Sequence, residues 1–185
     1  MVLIALFTAL MVVGAYIKIP NPFFPVFITF QTVFCALSGL ISGSKNGVKS
    51  IVIYVLMGLA GLPVFSTPSG PQYIFQPTFG FLLGFIAAAY VIGRISESCG
   101  EFTVTKAFLA SFSGLAVIYI IGIIYMYLIN RLYMNMQTTF VALVSGMSLY
   151  FAKDLFLFAI ASVASVKIRK RVLLISNRSI TRGKE

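Results

Sequence analysis

The chain contains no histidine and no tryptophan, two cysteines, and four acidic residues in a length of 185. Without histidine it lacks the commonest general base and the commonest metal ligand. Cys35 and Cys99 have neither the spacing of a metal site nor the number needed for a disulfide framework. No Ser/His/Asp or Cys/His set is available for nucleophilic catalysis. A phosphate-binding loop is missing too, since Gly39-Leu40-Ile41-Ser42-Gly43-Ser44-Lys45 does not meet the G-x-x-x-x-G-K-[ST] pattern. The chain therefore cannot hydrolyse ATP itself, and any uphill work must come from a partner or an ion gradient. Charge is scarce in general: 10% of the residues carry it, against roughly 25% in a soluble domain.

Apolar residues take its place, at 59% of the chain with a mean hydropathy of +1.01. Runs separated by polar or Gly/Pro punctuation predict six membrane helices, at about residues 2–17, 28–41, 48–62, 78–95, 104–129 and 141–166. The second and third are short for a bilayer crossing. The first has no basic segment ahead of it and reads as a helix of the bundle rather than a signal peptide. The expected fold is an all-α polytopic membrane protein, one transmembrane domain over residues 1–168 with a basic tail over 169–185.

A net charge of +10 could suggest nucleic acid, but its placement does not. Lys167, Arg169, Lys170, Arg171, Arg178, Arg182 and Lys184 form one block after the last span, the pattern of a flank attracted to anionic lipid headgroups. With six crossings the two termini share a side. On that side also lie Lys45, Lys49, Arg94 and Lys106, while the opposite side carries only Lys18 and Arg131. The bias predicts cytoplasmic termini and a multi-pass protein of the cell membrane.

Lys153 and Asp154 stand out because they lie inside an apolar run, and Asp154 is the only acid that does. Each such group costs ~2.5–3.5 kcal/mol at the centre of a membrane helix. That cost is tolerated where the group faces a cavity or a polar partner. As neighbours on a helix the two point about 100° apart and do not face each other as i,i+4 partners would. The pair is either a ligand site or a structural charge pair bridged by other helices. An acceptor-only carboxylate beside a cationic donor suits a ligand bearing N–H groups and a carboxylate.

Other polar groups converge at a similar depth. Asp154 lies ~20 Å from the inner flank by helical rise, within the outer half of a ~30 Å hydrocarbon core. Gln31 is near the outer end of the second span, and Gln76 and Thr78 are at the mouth of the fourth. The site should open outward, beneath a connection over residues 63–77 that contains Pro63, Pro68, Pro71 and Pro77. So long a connection is a lid or a plain connector, and Tyr73 lies within it. Tyr119 falls in mid-span, where its hydroxyl needs a partner, and is a better ligand candidate than tyrosines that anchor an interface. Ala5 and Ala9 place small residues one turn apart on the first helix, which allows another helix to approach. Gly39/Gly43 and Gly80/Gly84 share that spacing, and internal packing explains some of these pairs equally well.

Several motifs, in order, resemble the BioY family. They are Gly14-Ala15-Tyr16-Ile17-Lys18-Ile19-Pro20, Val26-Phe27-Ile28-Thr29-Phe30-Gln31-Thr32-Val33-Phe34 and Gly58-Leu59-Ala60-Gly61-Leu62-Pro63-Val64-Phe65. Pro77-Thr78-Phe79-Gly80-Phe81-Leu82-Leu83-Gly84-Phe85, Tyr119-Ile120-Ile121-Gly122 and Asp154-Leu155 continue the resemblance over nearly the whole chain. It implies the six-helix bundle of a biotin-binding S component of energy-coupling factor (ECF) transporters, whose pocket is closed by the first and third outer loops. It implies docking through Ala5 and Ala9 onto a transmembrane coupling protein with two ATPases, so that ATP is bound only by partners and no cofactor by this chain. Asp154 would then accept the ureido N–H groups of biotin, Gln31 or a tyrosine would meet the ureido carbonyl, and Lys153 or Lys18 would meet the valerate. The chain departs from the family in having Lys153 directly before Asp154 and Leu157 where a lysine is usual. Two rival readings are a carrier of another small carboxylated nutrient and a membrane enzyme or scaffold, for which no catalytic set is found.

Overall fold

A computed structural model describes residues 1–21, 26–98 and 102–182, with side chains described as far as Arg169. Pro22, Pro25, Cys99 and Glu101, and the side chains of the basic tail beyond Arg169, lie outside the described residues. The order of elements is α1 (Val2–Tyr16), β1 (Lys18–Ile19), β2 (Ile28–Thr29), α2 (Gln31–Leu59), a 3₁₀ turn (Pro71–Phe75), α3 (Phe79–Ser98), α4 (Val104–Leu132), α5 (Phe140–Gly146) and α6 (Ser148–Arg182). Three of these helices are long and apolar enough to cross a membrane: α3, α4 and residues Ser148–Arg169 of α6. The apolar α1 is shorter.

The second and third runs expected from the sequence form α2, whose continuity is interrupted at Gly43, with φ 76° and ψ −179°. An unbroken helix would separate Gln31 from Tyr54 by ~34 Å at 1.5 Å per residue. Their side chains are instead hydrogen-bonded at 2.7 Å, so the chain reverses and the two arms lie side by side. Glycine suits the break because a positive φ costs it no Cβ clash. Glu97, expected in a loop, extends α3 and secures the reversal: its carboxylate accepts from Ser44 N at 2.7 Å and from Ser44 Oγ at 2.8 Å. That carboxylate satisfies an N–H left unpaired where the second arm begins.

The helices are assembled through close approach and a few internal polar bonds. A Cβ on Gly93 would lie 2.3 Å from the Ser44 backbone nitrogen, so α3 reaches the reversal only because this residue is glycine. Gly39, Gly80 and Gly84 likewise press against Ile92, Tyr125 and the Ile118 backbone, which resolves those small-residue pairs as internal packing. Thr8 Oγ1 donates to Ser50 O at 3.0 Å and joins α1 to α2, while Ser162 Oγ donates to Ser111 Oγ at 3.1 Å and joins α6 to α4. Phe7, Thr8, Met11, Gly14 and Ala15 form the buried face of α1, which leaves Ala5 and Ala9 on its open face.

The run expected over 141–166 is divided. α5 ends at Gly146 and α6 starts at Ser148, with Met147 between them. Gly146 is a poor helix former, and the hydroxyls of Ser145 and Ser148 bond to the carbonyls of Ala142 and Ser145. The break turns Leu143 and Met147 inward, both buried.

One end of the bundle thus holds the α2 reversal, the end of α3 and the start of α4. Arg169 reaches this end from α6, with Nη1 2.9 Å from Ser96 Oγ and its guanidinium 4.4 Å from the Phe102 ring centre. The other end holds the β1–β2 ribbon, the 3₁₀ turn and residues 133–139. Replacing Gly93 with alanine is expected to destabilise the bundle by ~1–3 kcal/mol through overpacking against backbone. Thermal unfolding in detergent would show a lower midpoint than for Ser98→Ala, whose side chain is exposed.

Candidate functional site

α6 contributes the centre of the site. Asp154 is 3% exposed, one turn beyond Tyr150 on the same helix. Its Oδ1 accepts from Thr32 Oγ1 at 2.6 Å and lies 2.5 Å from Lys153 Nζ, and its Oδ2 accepts from Tyr119 OH at 2.8 Å. Three helices, α2, α4 and α6, therefore meet on one carboxylate. A carboxylate offers about four acceptor positions, so three bonds leave room for one further donor, on Oδ2.

Lys153 does face Asp154, contrary to the geometry expected of adjacent helical residues. Its four-carbon stem is long enough to turn the ammonium back over its own helix. The same ammonium donates to Thr29 O at 2.6 Å and lies 6.0 Å from the Phe30 ring centre. The pair is thus both a structural link, from α6 to β2, and a wall of the cavity described next.

That cavity has a volume of about 480 Å³, within the usual range of small-molecule sites. Of the residues expected at the site, Gln31, Tyr73, Gln76, Thr78, Tyr119, Lys153 and Asp154 line it. Gln31 Nε2 donates to Tyr54 OH, whose hydroxyl donates in turn to Val64 O at 3.1 Å. Tyr73 packs on Phe65, with ring centres 4.4 Å apart, and its hydroxyl is 3.2 Å from Thr78 Oγ1. Tyr119 sits edge-on between Phe81 and Phe151. Lys18 is not on the wall. Its ammonium donates to Ser66 O at 2.9 Å and lies 5.0 Å from the Phe27 ring centre.

The two loops over this end are tied to each other and to the helices. Tyr16 OH donates to Pro63 O, and Tyr125 OH donates to Ile74 O. Asn21 Nδ2 donates to Tyr150 OH at 3.0 Å, and Tyr150 OH to Val26 O. The proline-rich segment over 63–77 lines the cavity with Ser66, Thr67, Tyr73, Gln76 and Pro77, and its Phe75 stacks on Tyr133 at 4.8 Å between ring centres.

Sequence reasoning missed several wall residues. Thr32 stands in a motif but carries no signal of its own. Tyr150 reads as an interfacial anchor, yet it lines the cavity. Asn130, 8% exposed, lies just past the expected end of its span and reads as flank beside Arg131. Met126 and Met147 read as core, and Met134 and Met136 as connection, until the fold brings all four to the cavity.

A model of the BioY family matches residues 1–173. A probable biotin transporter BioY of Lysinibacillus sphaericus is 42% identical over 139 residues, which cover 75% of this chain and 70% of that one. The biotin transporter BioY of Thermotoga maritima is 43% identical over 119 residues, covering 64% and 68%. A probable biotin transporter BioY of Bacillus subtilis is 30% identical over 183 residues, covering 97% and 95%. The crystal structure of the S-component for biotin from an ECF-type ABC transporter superposes with a TM-score of 0.68 at 19% identity, covering 90% of this chain and 88% of that one, and shares its fold. Matched along nearly all its length, in sequence and in helix arrangement, the chain belongs to the BioY family.

Proposed function

We propose that this chain captures biotin at the outer face of the cell membrane and delivers it inward, by binding and alternating access without covalent chemistry. The observation that carries this reading is the one carboxylate buried among the described residues, at a cavity of about 480 Å³ and with one acceptor position to spare. The ureido ring of biotin presents N–H groups to such an acceptor, and its thioether ring and aliphatic arm suit walls of Leu82, Phe85, Met126 and Met147. Gln31, Tyr73, Gln76, Thr78 and Tyr119 complete the polar contacts.

In this reading the chain crosses the membrane six times, counting the arms of α2 separately and α5 with α6. Residues 1–168 form the transmembrane domain and 169–185 the tail. Lys45, Lys49, Arg94, Lys106 and Arg169 gather at the end away from the cavity, which supports an outward pocket and cytoplasmic termini. The exposed pair Ala5 and Ala9 on α1 supports docking to an ECF coupling protein whose two ATPase subunits bind ATP.

Asp154→Asn exchanges a charge-assisted acceptor for a neutral amide, worth ~1.5–3 kcal/mol or roughly 10–150-fold in affinity. Titration calorimetry of the purified protein with biotin should show that loss. Unchanged affinity would remove Asp154 from the site, and binding of a different vitamin in place of biotin would redirect the reading to a carrier of that nutrient. Ala9→Phe should abolish co-purification with a coupling protein while leaving biotin affinity as it was, because its site is open. Loss of biotin binding as well would assign Ala9 to internal packing.

A further inference from the structure

The cavity has a second polar pole, and it comes from α4. Tyr119 and Asn130 are eleven residues apart, which brings them within about 20° of the same helical face and ~16 Å apart along the axis. Met126 lies between them on that face, and all three line the cavity. The cavity therefore runs along α4 from a carboxylate, through an apolar middle of Met126, Leu143 and Met147, to the Asn130 amide.

Asn130 is more than nine-tenths buried. Its backbone carbonyl accepts from Met136 N at 2.9 Å, which fixes the residue in place. Its side-chain amide has no partner among the described residues and faces the cavity. The amide keeps access to the cavity, since Ser42 Oγ is the one fully buried side-chain polar atom left without a partner among the described residues. Among the described residues no cation competes for the role at this pole. Arg131 donates to Tyr127 OH at 2.5 Å and lies over that ring, and Lys18 is turned to Ser66. At the opposite pole the Lys153 ammonium is committed to Asp154 and Thr29 O.

We infer that Asn130 reads the far end of the bound ligand, with Nδ2 donating to the carboxylate of the aliphatic arm while the head group occupies the Asp154 pole. The inference rests on the biotin reading above and assigns the valerate to a neutral amide in place of Lys153. The arm is then recognised as a hydrogen-bond acceptor rather than as a charge in an ion pair.

Asn130→Asp keeps shape and removes the donor, so it sets like charges against each other with biotin but still accepts from the N–H of the neutral amide, biotinamide. Calorimetry should show biotin weakened by at least about tenfold and biotinamide held within about threefold. Asn130→Leu should weaken both ligands by several-fold. The assignment is overturned if Asn130→Asp binds biotin as the wild type does, or if Asn130→Leu leaves biotin affinity unchanged. Equal loss of both ligands in Asn130→Asp also overturns it. Absence of biotin binding by the wild type overturns the biotin reading itself, and this assignment with it.

Discussion

One compensated carboxylate organises the cavity end of the molecule. Asp154 lies where an isolated charge would be strongly penalised, and three donors from three helices replace its lost water. Each donor does double service. Thr32 ties the start of α2 to α6, Tyr119 ties α4 to α6, and Lys153 carries the link on to β2 through Thr29 O. Burying an ion pair is poor evidence for stability in its own right. Its value here is geometric, because any arrangement that left one partner unpaired would expose a bare charge to an apolar interior.

The other constraint is close packing without side chains. The α2 reversal, the end of α3 and the mid-section of α4 approach each other at glycines, and this narrow end is sealed by backbone contact and by Glu97. The cavity lies between a bonded cluster at its floor and loops that are themselves hydrogen-bonded to tyrosines.

Much of this was legible from composition and order alone. The apolar runs marked the helices, the Gly/Pro punctuation marked the connections, and Asp154 was conspicuous as the single acid in an apolar run. Gln31, Tyr73, Gln76, Thr78 and Tyr119 followed from depth and hydroxyl chemistry, and the structure brings them onto one wall. The pairing of Lys153 with Asp154 was read wrongly, because helical projection describes Cβ directions and not the reach of a long flexible stem. The division of the last run escaped hydropathy, since Gly146 and Met147 are as apolar as their neighbours.

The sequence by itself determined that this chain belongs in a membrane, which end of it is basic, and which few groups could not be left facing hydrocarbon. These properties depend on residue type and linear position, so they survive any arrangement of the helices. Tertiary structure alone decided which groups share a bond. Thr32 and Tyr119 are ordinary residues until helices distant in sequence deliver them to one carboxylate, and Asn130 reads as flank until α4 turns its amide inward. Contacts between residues 35 to 122 positions apart are set by helix packing, whose close approaches local pattern does not encode.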